Sequence, residues 1–289
     1  MHRYDHRLFV TELPEGFTSR HQWPEFAEQY QWPPFFHATP VGAYPRGMRR
    51  GLWPIILEEY VSDDEPPLGY VDETAPNRVI LWQRLTRTDI PRGWSAPSRH
   101  PAMLEGFAEI VPGEDYTARW SKIARQERKA CAEAFERGLF AIEQLDWETF
   151  ERVYRASTTI EKAGLGALAI LKRKWFANST HIMLWGARNL RTGEVVAAVG
   201  VVNSPSHQAS YYAAGCKRAH LEYPLVVGLL AHWYEVSQAA GIRFLHFGVF
   251  WIPGKPKSWQ GFSTFKMKLR PKLVLYPPTL VRFKRGTLW

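Results

Sequence analysis

Residues 181–216 read HIMLWGARNLRTGEVVAAVGVVNSPSHQASYYAAGC, and their patterning decides the fold. Two apolar, β-branched runs, His181 to Asn189 and Val195 to Asn203, flank Arg191-Thr192-Gly193-Glu194. Glycine supplies a positive φ there without strain, so the spacing predicts a β-hairpin. Gln208 to Ala214 continues as a third antiparallel strand. Pro224 then opens a strongly apolar helix to Ala240, closed by Gly241, and Arg243 to Phe247 is the next strand. An antiparallel meander followed by one crossover lacks the repeated βαβ units of a Rossmann sheet and predicts a mixed α/β class.

Upstream, a charged helix is expected from Thr117 to Arg137, stopping at Gly138. Phe140 to Leu145 reads as a strand, Asp146 as the cap of a helix through Arg155, and Leu165 to Phe176 as a further helix. Fourteen of the 21 prolines precede residue 113 and none falls between Gly113 and Ser204. Residues 1–115 are therefore read as a Pro- and Trp-rich region of short strands and turns, and residues 116–289 as one domain. The readable elements of the first region are a helix at Gln22 to Tyr30, strands at Ile55 to Val61 and Val79 to Leu85, and an acidic loop at Ser62 to Pro67.

At 289 residues, 45% hydrophobic and 22% charged, the chain can bury one large core or two smaller ones, which excludes disordered and collagenous classes. Cys131 and Cys216 give no disulfide framework and no zinc spacing, so a reducing cytosol is the expected location. No run reaches the ~18 apolar residues of a membrane span. The formal charge of +9 is localised: residues 201–289 carry 12 Lys/Arg against 2 Asp/Glu, and Lys255 to Trp289 has nine basic residues and no acid. One-sided charge of this kind favours a polyanionic partner such as nucleic acid, a phosphorylated substrate or an anionic membrane surface; a solvated basic face is the alternative.

Tyr211-Tyr212-Ala213-Ala214-Gly215, the helix after Tyr223, Phe244-Leu245-His246-Phe247-Gly248 and Gly261-Phe262-Ser263-Thr264-Phe265-Lys266 together resemble the C-terminal half of Fem-type aminoacyltransferases of the GNAT superfamily. The resemblance covers roughly residues 117–280, and Trp120 to Ala134 is similar to the basic helix that opens that half. It implies a GNAT-like, centrally antiparallel sheet flanked by helices, with residues 1–115 as a degenerate second half. It also implies transfer of an aminoacyl group from charged tRNA to an amine on a peptide, peptidoglycan precursor or small natural product, with no bound cofactor or metal. Some relatives use acyl-CoA. The family often has Asp at the position of His246, and no heptad arm is present here.

The resemblance places oxyanion stabilisation on the Phe265-Lys266 pair, a backbone amide and a cation. His246 is a candidate base because its unperturbed pKa lies near neutrality, and a hydrogen-bonded core histidine is the alternative. Lys122, Arg125 and Lys129 fall at i, i+3 and i+7 of a helix with Arg128 adjoining, and Lys217 and Arg218 precede the positive end of the Pro224 helix; these are candidate phosphate-binding residues. Trp251 and Trp259 bracket the basic loop containing Lys255 and Lys257, and with Tyr211 they are candidates to line a substrate channel. Glu161-Lys162-Ala163-Gly164-Leu165-Gly166 imitates a CoA loop but begins with an acid and precedes the strands, so it is read as a turn. That favours aminoacyl-tRNA over acyl-CoA as donor. A non-catalytic nucleic-acid or membrane-surface binder on the same scaffold is the remaining class.

Overall fold

The computed structural model describes residues 13–17, 43–50, 53–61, 64–65, 77–96, 103–157, 168, 171–172, 175–176, 179–204, 207–255 and 257–285. The helix expected at 22–30 and most of the loop at 62–67 lie outside them. The chain forms two compact units, one of Met1–Glu105, Trp251–Lys255 and Val274–Trp289, the other of Gly106–Phe250 and Pro256–Leu273. The sequence boundary near residue 115 thus meets a discontinuous division, in which the last residues return to the first unit.

In the first unit, β1 (Ala43–Arg50), β2 (Trp53–Val61), β3 (Asn77–Gln83) and β11 (Leu280–Arg285) form a four-stranded sheet in the order β1-β2-β3-β11. β2 and β3 run parallel, and β11 runs antiparallel to β3. Ile80, Trp82, Trp94 and Leu280 make a small buried core, with the two indoles 5.1 Å apart. The buried Gln83 amide donates to the carbonyl of Pro277 and accepts from the Thr279 hydroxyl, so the segment before β11 is fastened by side chains as well as by strand pairing.

A second sheet has the order β10-β4-β9-β8-β7-β6-β5, made of β4 (Met103–Glu109), β5 (Phe140–Gln144), β6 (Ile182–Asn189), β7 (Val195–Ser204), β8 (Gln208–Cys216), β9 (Phe244–Phe250) and β10 (Lys272–Tyr276). Strands β5 to β8 are mutually antiparallel and β9 is parallel to β8, which is the predicted meander and crossover. β7 is a continuous apolar run, buried from Val195 through Val202 because helices cover both faces of the sheet.

Each helix follows from a local signal. Asp115 does not start the long helix expected at Thr117; its carboxylate accepts from the Thr117 amide and caps a single 3₁₀ turn, Tyr116–Arg119. The chain then extends at Trp120, and Ser121 caps α1 (Lys122–Glu136) through the Ala124 amide. Asp146 caps α2 (Trp147–Arg155) as predicted, accepting from the Thr149 amide at 2.6 Å, and Trp147, Phe150, Val153 and Tyr154 form its buried stripe. Leu168, Leu171, Lys172, Trp175 and Phe176 are helical where the expected further helix lies. α3 (Leu225–Ala239) is the β8–β9 crossover, apolar nearly all round because both of its sides are covered. α4 (Trp259–Met267) is clamped to α1: the Ser121 amide donates to the Lys268 carbonyl at 2.9 Å, and the Lys268 ammonium pairs with Glu127 at 2.7 Å.

Candidate active site

β8 and β9 pair through Gln208↔Phe244, Ala209↔Leu245 and Ser210↔His246, and among the described residues their register goes no further. Each strand carries an irregularity just beyond that point. On β8, Tyr211 faces Val201 of β7 and Ala213 faces Gly200, so Tyr212 is an extra residue in a β-bulge. On β9, Gly248 has φ 70°, a left-handed conformation that departs from strand geometry and that a side chain would strain. The two strands therefore part into a wedge.

Lys266, in the last turn of α4, directs its side chain into this wedge. It is 7% exposed, its ammonium donating to the Val249 carbonyl of β9 at 3.3 Å. The Tyr211 ring of β8 lies 5.4 Å from Nζ, the Phe250 ring of β9 5.5 Å and the Phe262 ring 4.7 Å. Phe262 reaches Nζ because it sits four residues earlier on the same helix face. Trp259, a further three residues back, packs against Phe262 in a tilted arrangement, with ring centroids 5.7 Å apart. Burial pushes the Tyr211 phenol up, with the Tyr154 phenol adding to the effect. Such a hydroxyl stays neutral at physiological pH.

The remaining predicted residues separate. Phe265 lies beside Lys266 inside α4, where helical geometry commits its backbone amide to the carbonyl four residues back; that amide is therefore not offered to a ligand. His246 is 1% exposed, and its Nε2 lies 2.9 Å from Oε1 of the fully buried Gln208. It is a buried histidine that ties β9 to β8 at the root of the wedge.

Several expected phosphate ligands are already engaged. Arg128 donates to the Thr117 hydroxyl and faces Glu235 at 3.6 Å and Asp115 at 3.9 Å. Lys129 pairs with Glu133, and Lys217 contacts Glu194, whose carboxyl is held below its ordinary range by that ammonium. Lys122, Arg125 and Arg218 are exposed. Of the proposed channel residues, Lys257 and Trp259 belong to the same unit as Lys266, whereas Trp251 and Lys255 belong to the other. There the Trp251 indole N–H donates to the Lys255 carbonyl at 3.1 Å, and burial lowers the pKa of the Lys255 ammonium. Phe250 and Phe262 are wedge residues to which sequence reasoning gave no role, Phe250 because β9 was expected to end at Phe247.

Among the described residues, no helix is long and apolar enough to cross a membrane. No protein-family model matches the chain, and no curated protein matches its sequence. Solved structures do match. FemX aligns over 91% of this chain and 92% of its own with a TM-score of 0.62 at 9% identity. The C-terminal domain of a protein assigned as a lysylphosphatidylglycerol synthetase, from Agrobacterium fabrum, covers 86% of this chain and 82% of its own with a TM-score of 0.50 at 12% identity. L-PGS from Bacillus licheniformis covers 88% and 84%, also with a TM-score of 0.50 at 12% identity. The chain thus has a mixed α/β fold, with a seven-stranded sheet flanked by helices, and FemX and the lysylphosphatidylglycerol synthetase domain are among its structural neighbours.

Proposed function

We propose that the chain is an acyltransferase that moves an aminoacyl group from aminoacyl-tRNA to a primary amine of a peptide or small molecule, forming an amide. The observation that carries this reading is the Lys266 ammonium, fixed at the point where β8 and β9 part. A cation preorganised in a water-poor cleft is the element that aminolysis of an ester needs most, since the reaction passes through a tetrahedral oxyanion. The likeness in fold to FemX and to the lysylphosphatidylglycerol synthetase domain supports the same reading.

The amine lone pair attacks the ester carbonyl and a C–N bond forms, while the carbonyl oxygen gains charge against a Lys266 N–H. Collapse of that intermediate breaks the ester C–O bond. The leaving ribose oxygen takes the proton given up by the amine, so the buried His246 has no part in the step. With the Phe265 amide retained by its helix, the ammonium is the donor assigned to the oxyanion.

Incubation of the protein with radiolabelled charged tRNA and an amine pool should give labelled amide. Lys266→Ala should lower transfer ~10²–10³-fold, the usual effect of losing one oxyanion donor. Full transfer by a correctly folded Lys266→Ala variant sinks the assignment. Micromolar binding of free CoA by calorimetry, with turnover indifferent to charged tRNA, replaces the donor by acyl-CoA.

A further inference from the structure

Three aromatic rings from three different elements converge on one buried ammonium. Tyr211 comes from β8, Phe250 from β9 and Phe262 from α4, all with centroids 4.7 to 5.5 Å from Lys266 Nζ. Burial in an apolar setting disfavours a charged lysine, whereas the negative face of an aromatic ring within ~6 Å favours it. The rings therefore offset the desolvation that the wedge imposes. The Val249 carbonyl accepts a hydrogen bond from the same ammonium at 3.3 Å.

The surroundings are shaped to put the rings there. At Gly106 of β4 a Cβ would stand 2.4 Å from Cε2 and 2.8 Å from Cζ of Phe250, so only glycine lets that ring lie against the strand. The bulge at Tyr212 changes the register of β8 immediately beside Tyr211. Phe262 is backed by Trp259.

We propose that Tyr211, Phe250 and Phe262 are positioning residues, which keep the Lys266 ammonium charged and aimed into the wedge where the acyl oxyanion forms. The purpose assigned to the cage rests on the proposed transfer reaction. Among the described residues, the titratable group facing the ammonium from β8 is the Tyr211 phenol, with the Tyr154 phenol of α2 near it. β9 presents the Val249 carbonyl and the Phe250 ring, and α4 presents Phe262.

The experiment titrates Lys266 directly. The full chain is labelled with [ε-¹³C]lysine, the Lys266 resonance is identified by its loss in Lys266→Arg, and its midpoint is followed with pH. Phe262 is replaced by mono-, di- and trifluorophenylalanine, which keep the ring's shape and drain its face of charge. The midpoint should fall stepwise, by about one pH unit across the series, and by a similar amount in Tyr211→Leu but not in Tyr211→Phe. A midpoint that does not move along the fluorinated series overturns the proposal, as does a fall in Tyr211→Phe equal to that in Tyr211→Leu.

Transfer assays on the same fluorinated proteins supply the functional half. The basic limb of the kcat–pH profile should move down in step with the midpoint at constant KM, and a basic limb that stays fixed while the midpoint moves overturns the positioning role. Absence of transfer by the wild-type chain removes the proposed function while leaving the titration intact, so the two failures are distinguishable.

Discussion

At the scale of single residues, the two groups expected to act together have opposite fates. Lys266 and His246 are both nearly buried, yet the lysine points into the space between two parting strands and the histidine lies where those strands are still paired. His246 is therefore expected to contribute stability. His246→Ala leaves the Gln208 amide without the imidazole in a dry core and should lower unfolding free energy by about 1–3 kcal/mol, read from a urea transition. The pH–rate profile of transfer by the surviving folded variant should keep the wild-type shape; loss of its acid limb restores His246 as a base. Lys266 and Tyr211 were legible in the sequence through the motifs that carry the family resemblance. The cage around them was not, because rings separated by whole elements meet only through the divergence of β8 and β9, which no local pattern encodes. Phe262 is the exception in retrospect, since its i, i+4 spacing to Lys266 is visible in the sequence.

At the scale of elements, the wedge depends on backbone geometry that side chains would oppose. Gly248→Ala places a Cβ at φ 70° on β9 and should cost about 1–2 kcal/mol of stability, with a larger proportional loss of transfer because Val249 and Phe250 follow it directly. Equal loss of transfer and of folded fraction argues that the bend is only structural. Far from the wedge, Asp146→Ala should lower stability by about 1 kcal/mol through loss of the α2 cap, with kcat unchanged. The elements that the sequence revealed are those with internal periodicity and terminal signals: β2, β3, β5 to β9, α2 and α3. β1, β4, β10 and β11 escaped notice because they carry charges or prolines in or near them and, for β4, β10 and β11, are stabilised by partners distant in sequence. The start of α1 was misplaced because Asp115 and Ser121 are both good caps, and only the chain's extension at Trp120 shows which one begins the helix.

At the scale of the whole molecule, the separation of charge along the sequence is partly undone by folding. Late cations meet early acids: Arg243 and Lys272 converge on Glu109, Lys268 on Glu127, Lys217 on Glu194, and Arg282 on Glu65. The basic C-terminal third is thus less open to a polyanion than its composition suggests, and Lys257, Arg270, Lys122 and Arg125 remain exposed. If tRNA is the donor, replacing Lys122 and Arg125 together should reduce the salt dependence of its binding by one to two phosphate contacts. Glu109 and Glu151 are held below their ordinary value of 4.5, chiefly by hydrogen bonds from Lys272 and Arg155 respectively. Because the folded value is the lower one, their contribution is present above 4.5 and is lost as pH falls through the folded value. Urea midpoints measured from pH 7 downwards should hold until about 5 and then decline, at about 0.2–1 kcal/mol per pair, and high salt should shrink the decline. A midpoint that rises on acidification contradicts these pairings. Finally, β3 takes its neighbour on one side from β11, which leaves the ribosome long after it. During synthesis β3 must wait on the order of ten seconds with an edge unsatisfied, which exposes the nascent protein to chaperone capture.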